Sequence, residues 1–122
     1  MVFDCDGLIV APGFIDVQLN GALGVDFSTL PGGGRKHEDE SADEEKGVPE
    51  HVKGLKTVEQ RVDFVANKLL AFGVTGFLPT LFSSQRSVYK AILPHMSTTR
   101  GSHRHAAILG WLIVVCRGVG EG

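Results

Sequence analysis

A capped amphipathic helix pattern lies between two short apolar runs, and this arrangement constrains the fold more than any other feature. Thr57 and Gln60 form a capping-box pattern at the start of the helix, and Gly73 offers a C-terminal stop. The run before the helix, 14–19, and the run after it, 74–78, are predicted strands. Strand, helix and strand in this order predict a right-handed βαβ unit with parallel strands. The helix carries an apolar stripe at helical spacing, formed by Val58, Val62, Val65 and Leu69.

Further elements extend this alternation and predict an α/β fold. A second helix is expected after Ser84 and weakens at Pro94, and another strand candidate begins at Ala106. Residues 8–11 predict a short strand near the start of the chain, closed by a Pro-Gly pair. The near-continuous hydrophobicity of 14–19 is typical of a strand that is covered on both faces. The apolar positions of the second helix are Val88, Ala91 and Ile92.

Residues 31–54 interrupt the alternation with a polar, charged stretch, PGGGRKHEDESADEEKGVPEHVKG. No large apolar side chain occurs between Leu30 and Val48, so this stretch cannot bury enough surface to offset its ordering entropy. We interpret it as a flexible surface insertion, with an acidic binding tail as the alternative. His37 and His51 lie in it without a framework of further ligands, so we do not expect them to bind metal.

Composition and charge exclude several function classes. The 122 residues carry a net charge of −2, which provides neither a basic footprint for nucleic acid nor a polybasic patch for a membrane. Cys5 and Cys116 form no zinc pattern and are too few for a disulfide framework, so we expect reduced thiols and a cytoplasmic chain. No signal peptide is expected, and the longest apolar run, 111–116, is far shorter than the ~20 residues of a membrane span.

Polar side chains stand at the ends of two predicted strands. Gln18 and Asn20 lie two residues apart, so strand alternation predicts that they project from one face. Thr80 follows Pro79, with which we expect the strand after the helix to end. Because active sites of closed parallel barrels gather at the C-terminal ends of the strands, we predict that Gln18, Asn20 and Thr80 line a pocket there. A simple Asn-Gly turn and a helix-entry Pro-Thr are the structural alternatives, and we assign no catalytic residue and no metal ligand to this chain.

Other polar residues near these strands are given structural roles. Asp16 is interpreted as the partner of a buried structural hydrogen bond. Asp26 and Ser28 are expected to order the loop that contains them, with Ser28 able to cap a helix. A cluster of three histidines follows the second helix, and we interpret it as solvated surface rather than as a metal site: His95, His103 and His105.

Four stretches of the sequence match a known family: APGFIDVQLNGALGVDFS (11–28), GVTGFLPTLFSS (73–84), VYKAILP (88–94) and AAILG (106–110). From about residue 6 to residue 110 the chain resembles the N-acetylglucosamine-6-phosphate deacetylases, a branch of the amidohydrolase superfamily. The string PGFID is shared by amidohydrolases generally. The string PGFIDVQLNG, followed by GVDFS and then by GVTGFLPT, is specific to this branch.

The resemblance implies hydrolysis of N-acetylglucosamine 6-phosphate to glucosamine 6-phosphate and acetate, in a (β/α)₈ barrel with a small β-sandwich built from both chain ends. It also implies a divalent metal, zinc or similar, and an aspartate that moves protons. In this family Gln-x-Asn replaces the usual metal-binding His-x-His, and Gln18 and Asn20 match it. Because neutral amides bind zinc poorly, we interpret the two side chains as a hydrogen-bonding floor of the pocket.

The chain departs from the family after Gly110. The family continues with Gly-x-His-x-Glu-Gly-Pro-Phe, whose Glu is a metal ligand, whereas this chain reads GWLIVVCR (110–117). The further histidine ligands, the catalytic aspartate and the phosphate-binding residues of the family belong to later strands, and a barrel needs roughly 200 residues or more. We therefore expect a partial (β/α)₈ TIM-type barrel, its first strands and helices only, which is inactive and metal-free by itself.

On this basis the chain divides into three parts. Residues 1–12 are a lead-in with a short remnant of the N-terminal β-sandwich, residues 13–110 are the first βα units of the barrel, and residues 111–122 are a non-family tail. We interpret the tail as out-of-frame or intron-derived sequence, which would make the chain a truncated product. For the complete family enzyme the resemblance implies an amino-sugar phosphate as substrate, a cytoplasmic location and compatibility with a homodimer, with no nucleic-acid or membrane partner.

Two other interpretations stay open. Another amidohydrolase, such as a dihydroorotase-like enzyme, is one of them, but such an enzyme would show histidines in place of Gln18 and Asn20. A non-catalytic interaction protein is the other, and it would use the charged segment 35–46 to bind weakly and in a salt-dependent way.

Overall fold

The computed structural model describes residues 1–30 and 49–115, which form a mixed α/β structure with a parallel sheet. Two short 3₁₀ turns are also present, Leu70–Phe72 and Leu93–His95. The strands are β1 (Phe14–Leu19), β2 (Gly21–Ala22), β3 (Val25–Asp26), β4 (Val74–Leu81), β5 (Ala107–Ile108) and β6 (Leu112–Ile113). The helices are α1 (Glu50–Lys53), α2 (Val58–Leu69) and α3 (Arg86–Ile92).

Strand β4 is the centre of the sheet, and all its neighbours run parallel to it. β1 lies along one edge of β4, with Leu19 opposite Pro79, and β5 lies along the other edge. β6 pairs with the last residues of β4. The Phe77 carbonyl accepts from Leu109 and the Leu81 carbonyl accepts from Val114. Since carbonyls four residues apart on a strand point to the same edge, β5 and β6 follow one another along one side of β4.

The structure confirms the helix that the sequence predicts after Thr57, as α2. The Thr57 hydroxyl accepts a hydrogen bond from the Gln60 amide at 3.2 Å, and the Gln60 side chain accepts from the Thr57 amide at 3.2 Å. Gly73 ends the following turn in the left-handed conformation, with φ 75°. The apolar stripe of α2 packs into a core centred on Phe77, which is fully buried. The predicted helix after Ser84 is confirmed as α3, and the predicted strand after Ala106 is confirmed as β5.

Three expectations about the strands are wrong. Residues 8–11 form no strand, and their apolar side chains are exposed. β1 is not covered on both faces, because Ile15 is 60% exposed and Val17 is 66% exposed at the edge of the described sheet. β4 does not end before Pro79 but continues to Leu81. Pro79 is tolerated because it lies in the gap between the β5 and β6 pairings, where β4 needs no amide donor.

Parts of the 31–54 insertion and of the 111–122 non-family tail contribute to the fold where they are described. Of the 31–54 insertion, residues 31–48 lie outside the described part, but α1 buries Val52 and the His51 Nε2 donates to the Leu23 carbonyl at 2.9 Å. Residues 49–54 therefore contact the rest of the described structure, and the flexibility of the insertion stays a prediction. In the 111–122 tail, Trp111 contacts Phe27 edge to face and β6 joins the sheet, whereas 116–122 lie outside the described residues.

Over the ranges 1–30 and 49–115, the structure contains no helix with both the length and the apolar character needed to cross a membrane.

The capping box gives a first testable prediction. Replacing Thr57 by alanine removes the acceptor for the Gln60 amide, so we expect the free energy of unfolding to fall by about 1 kcal/mol. Urea denaturation followed by circular dichroism measures this change. Thr98→Ala in an exposed loop is the matched control and should be close to neutral. Equal effects of the two substitutions would contradict the capping role of Thr57.

Candidate functional site

Two of the three predicted pocket residues, Asn20 and Thr80, occupy adjacent register positions near the C-terminal end of the parallel strands. Leu19 lies opposite Pro79. Asn20 and Thr80 are the residues that follow them, at the same end of the sheet. Thr80 is fully buried, and its hydroxyl donates to the Leu78 carbonyl at 3.2 Å. The pairing of Thr80 with Leu112 covers the other edge of β4 at this point. The buried Thr80 and the half-buried Asn20 thus occupy adjacent register positions near the C-terminal ends of β4 and β1.

Asn20 has an unused hydrogen-bond acceptor. Its side-chain Oδ1 is buried and has no hydrogen-bond partner among residues 1–30 and 49–115. Its backbone carbonyl is used, since it accepts from the Phe27 amide at 3.1 Å. A buried acceptor without a partner costs about 1–3 kcal/mol, so Oδ1 is a favourable place for a donor from water, substrate or further chain.

Gln18 is positioned differently from Asn20. The pairing of Asp16 with Phe77 and of Leu19 with Pro79 leaves one extra residue on β1, which is a bulge. The Asp16 Oδ1 accepts from the Gln18 amide at 3.0 Å within this bulge. Asp16 thus has a structural hydrogen bond, but the expected burial is wrong, because the bond is exposed and Asp16 is only half-buried. Gln18 itself is exposed, and in the described part of the chain no hydrogen bond joins the side chains of Gln18, Asn20 and Thr80.

The loop that follows Asn20 folds back across the end of β4. It begins with the β2–β3 hairpin and ends in a turn in which Asp26 accepts from the Ser28 amide at 2.7 Å and from the Thr29 hydroxyl at 3.0 Å. The Ser28 hydroxyl accepts from the Phe82 amide at 3.0 Å, just beyond β4. Asp26 and Ser28 therefore order the loop as predicted, but Ser28 binds the end of a strand and does not cap a helix.

Sequence reasoning missed Arg61, which connects this loop with helix α2. Its Nη1 donates to the Thr29 carbonyl at 2.7 Å, and its Nε donates to the Leu55 carbonyl at 3.4 Å. Partial burial lowers the pKa of Arg61, and the nearby Asp26 carboxylate opposes that shift. No sequence signal could connect Arg61 with Thr29, because the two are 32 residues apart and neither belongs to a motif with the other.

The side chains at this site do not fit a zinc ion. Gln18 and Asn20 offer neutral amides, which are poor zinc ligands, and no group of three His, Cys, Asp or Glu side chains comes together in the described ranges. The three histidines that follow α3 each have a partner of their own. His95 bonds Glu59, the His103 Nε2 accepts from Arg104 at 3.1 Å, and the His105 Nδ1 donates to the Ala106 carbonyl at 3.2 Å.

Comparison with known proteins supports the family resemblance. No protein-family model matches the chain. Curated relatives do match it over 107 residues, which is 88% of this chain: N-acetylglucosamine-6-phosphate deacetylases from Mus musculus at 39% identity, Rattus norvegicus at 41% and Caenorhabditis elegans at 38%. The match spans about a fifth of the length of these relatives, 20% of the mouse and rat proteins and 21% of the nematode protein. Over its matched residues the chain is therefore similar to the N-terminal fifth of the N-acetylglucosamine-6-phosphate deacetylases.

Proposed function

We propose that this chain forms the first strands and helices of a (β/α)₈ barrel in an N-acetylglucosamine-6-phosphate deacetylase, and that its strand ends supply part of the substrate pocket. One observation carries this proposal. Asn20 and Thr80 directly follow the paired residues Leu19 and Pro79 near the C-terminal end of two parallel strands, in a chain that matches deacetylases over 88% of its length. In parallel barrels this end of the strands carries the active site.

The sheet supports the barrel part of the proposal. β1, β4 and β5 are adjacent in chain order and parallel, with helices in the connections, which is the arrangement of successive barrel units. β1 pairs with no second strand in the described ranges, and Ile15 and Val17 project from it with more than half of their surface exposed. An apolar, unpaired edge of this kind is normally covered, and closure by further barrel strands would cover it. We assign residues 13–110 to this part of the barrel.

The chemistry of the Asn20 and Gln18 side chains is compatible with a substrate that presents amide and hydroxyl groups. Asn20 offers a free Oδ1 acceptor, and the exposed Gln18 amide offers both donors and an acceptor. N-acetylglucosamine 6-phosphate carries an acetamide and several hydroxyls, which such groups hold and orient. We infer that these residues bind the sugar and that proton transfer and water activation belong to other parts of the complete enzyme. The 122-residue chain alone is therefore expected to have no deacetylase activity.

A graft experiment tests this function. The 107-residue matched stretch of the mouse deacetylase is replaced by the corresponding stretch of this chain, and acetate release from N-acetylglucosamine 6-phosphate is measured. We expect the graft to be active and the Asn20→Ala graft to lose about 10- to 100-fold in kcat/KM, the cost of one hydrogen bond to a bound polar group.

Asn67→Ala is the matched control for the graft, because Asn67 lies on the exposed surface of α2, where its side chain donates to the Asp63 carbonyl at 2.8 Å. The graft with Asn67→Ala should keep full activity. The isolated 122-residue chain serves as the negative control and should release no acetate. An inactive but folded graft, or equal losses for Asn20→Ala and Asn67→Ala, would contradict the proposed function of the strand ends.

A further inference from the structure

Within residues 1–30 and 49–115, Arg61 is the one charged side chain of α2 that forms a hydrogen bond with the loop following Asn20. We propose that Arg61 is a positioning residue: it holds the loop 20–30 against the C-terminal end of the sheet and thereby fixes Asn20. The catalytic meaning of this role rests on the proposed function, whereas the positioning itself does not. Arg61 would act without touching the substrate, through the backbone of the loop.

The contacts of Arg61 explain why an arginine occupies this position. Its guanidinium donates to two carbonyls from different segments, Thr29 at the end of the loop and Leu55 before α2. A planar group with several fixed donors can bridge two acceptors in this way, whereas a lysine ammonium offers a single point of charge. The Asp26 carboxylate lies close enough to oppose the effect of burial on the Arg61 pKa, so the half-buried cation has a compensating charge.

The loop carries the effect of Arg61 to the strand ends. Arg61 holds Thr29, and Asp26 binds both the Thr29 hydroxyl and the Ser28 amide, so the turn 26–29 is one hydrogen-bonded unit. From this unit Ser28 accepts from the amide of Phe82, which follows β4. Phe27 in the same turn is buried, and its amide donates to the Asn20 carbonyl. Loosening of the turn would therefore free both strand ends at once.

Hydrogen exchange on the full 122-residue chain tests the proposal. The amides of Phe27 and Phe82 report directly on the loop, because their partners are the Asn20 carbonyl and the Ser28 hydroxyl. In Arg61→Met, which keeps the aliphatic stem and removes the donors, we expect both amides to exchange about tenfold faster, while the interior amides of α2 keep their protection. Arg61→Lys should restore part of the protection, because it keeps the charge near Asp26.

Lys68→Met on the same helix is the matched control and should leave the exchange of both amides unchanged. If Arg61→Met accelerates the exchange of α2 and the loop equally, Arg61 acts only on overall stability and the proposal is wrong. Unchanged exchange at Phe27 and Phe82 would also overturn it, and if Arg61→Met does not fold, the same comparison is made with Arg61→Lys. The exchange measurement needs no deacetylase activity. Its result can therefore contradict the positioning role of Arg61 while the graft supports the proposed function, or the reverse.

Discussion

Replacing Phe77 by alanine should lower the free energy of unfolding by about 3–5 kcal/mol, the usual cost of removing a fully buried aromatic ring. Phe77 lies in the middle of β4 with none of its surface exposed, and its ring centroid is 6.5 Å from that of Phe27. The change leaves a cavity in the buried cluster that Phe77 shares with Phe27 and the apolar stripe of α2, and cores relax only partially around such a cavity. Since domains of this size are stable by only about 5–15 kcal/mol, much of the total would be lost.

Urea denaturation monitored by circular dichroism measures this effect. Phe72→Ala makes the same chemical change at a side chain that is 65% exposed, and it should cost well under half as much. Comparable losses for Phe77→Ala and Phe72→Ala would show that the core is not centred on β4.

Replacing Gly21 by alanine should cost about 3 kcal/mol and disturb the strand ends. A Cβ at this position would lie 2.0 Å from the Val25 carbonyl oxygen, and that oxygen belongs to the backbone of the β2–β3 hairpin. The hairpin must therefore open or shift to make room for the methyl group. Because Gly21 directly follows Asn20, we also expect the graft that carries Gly21→Ala to lose most of its deacetylase activity.

Gly54→Ala is the control for Gly21→Ala. Within residues 1–30 and 49–115, and apart from its own chain neighbours, no heavy atom lies within 4 Å of a Cβ at Gly54, and its φ of −76° suits any residue. This substitution should be neutral or stabilise the chain by up to about 1 kcal/mol, because alanine restricts the unfolded chain. The urea denaturation midpoints of the two variants measure this difference in stability. A Gly21→Ala variant as stable as Gly54→Ala would contradict the close packing of the hairpin.

The elements that the sequence predicted well are those decided by neighbouring residues. Helix α2 depends on a cap between Thr57 and Gln60, on a stripe repeated every three or four residues, and on a glycine that can take a positive φ. The extent of β1, Phe14–Leu19, was also predicted, because a Pro-Gly pair and an Asn-Gly pair enclose it. These interactions span a few residues, so they can be recognised without knowing the rest of the fold.

The assignment of Gln18, Asn20 and Thr80 to a pocket stays a prediction, and the structure adds their positions to it. Alternation and strand order led to Asn20 and Thr80, and the structure places them directly after the paired residues Leu19 and Pro79. Alternation alone did not anticipate the bulge between Asp16 and Leu19, and Gln18 lies within that bulge on the exposed surface. A bulge depends on the register of the partner strand, which the sequence of one strand does not contain.

By itself the sequence determined the α/β alternation, the capped helix α2 and the extent of β1, because each depends on short-range geometry and on hydrophobic periodicity. Only the tertiary structure decided that Pro79 lies within a strand, that residues 8–11 stay outside the sheet and that Arg61 holds a loop 32 residues away. These outcomes depend on which strand edge or carbonyl is left without a partner once the sheet has assembled, and that is a property of distant segments packed together.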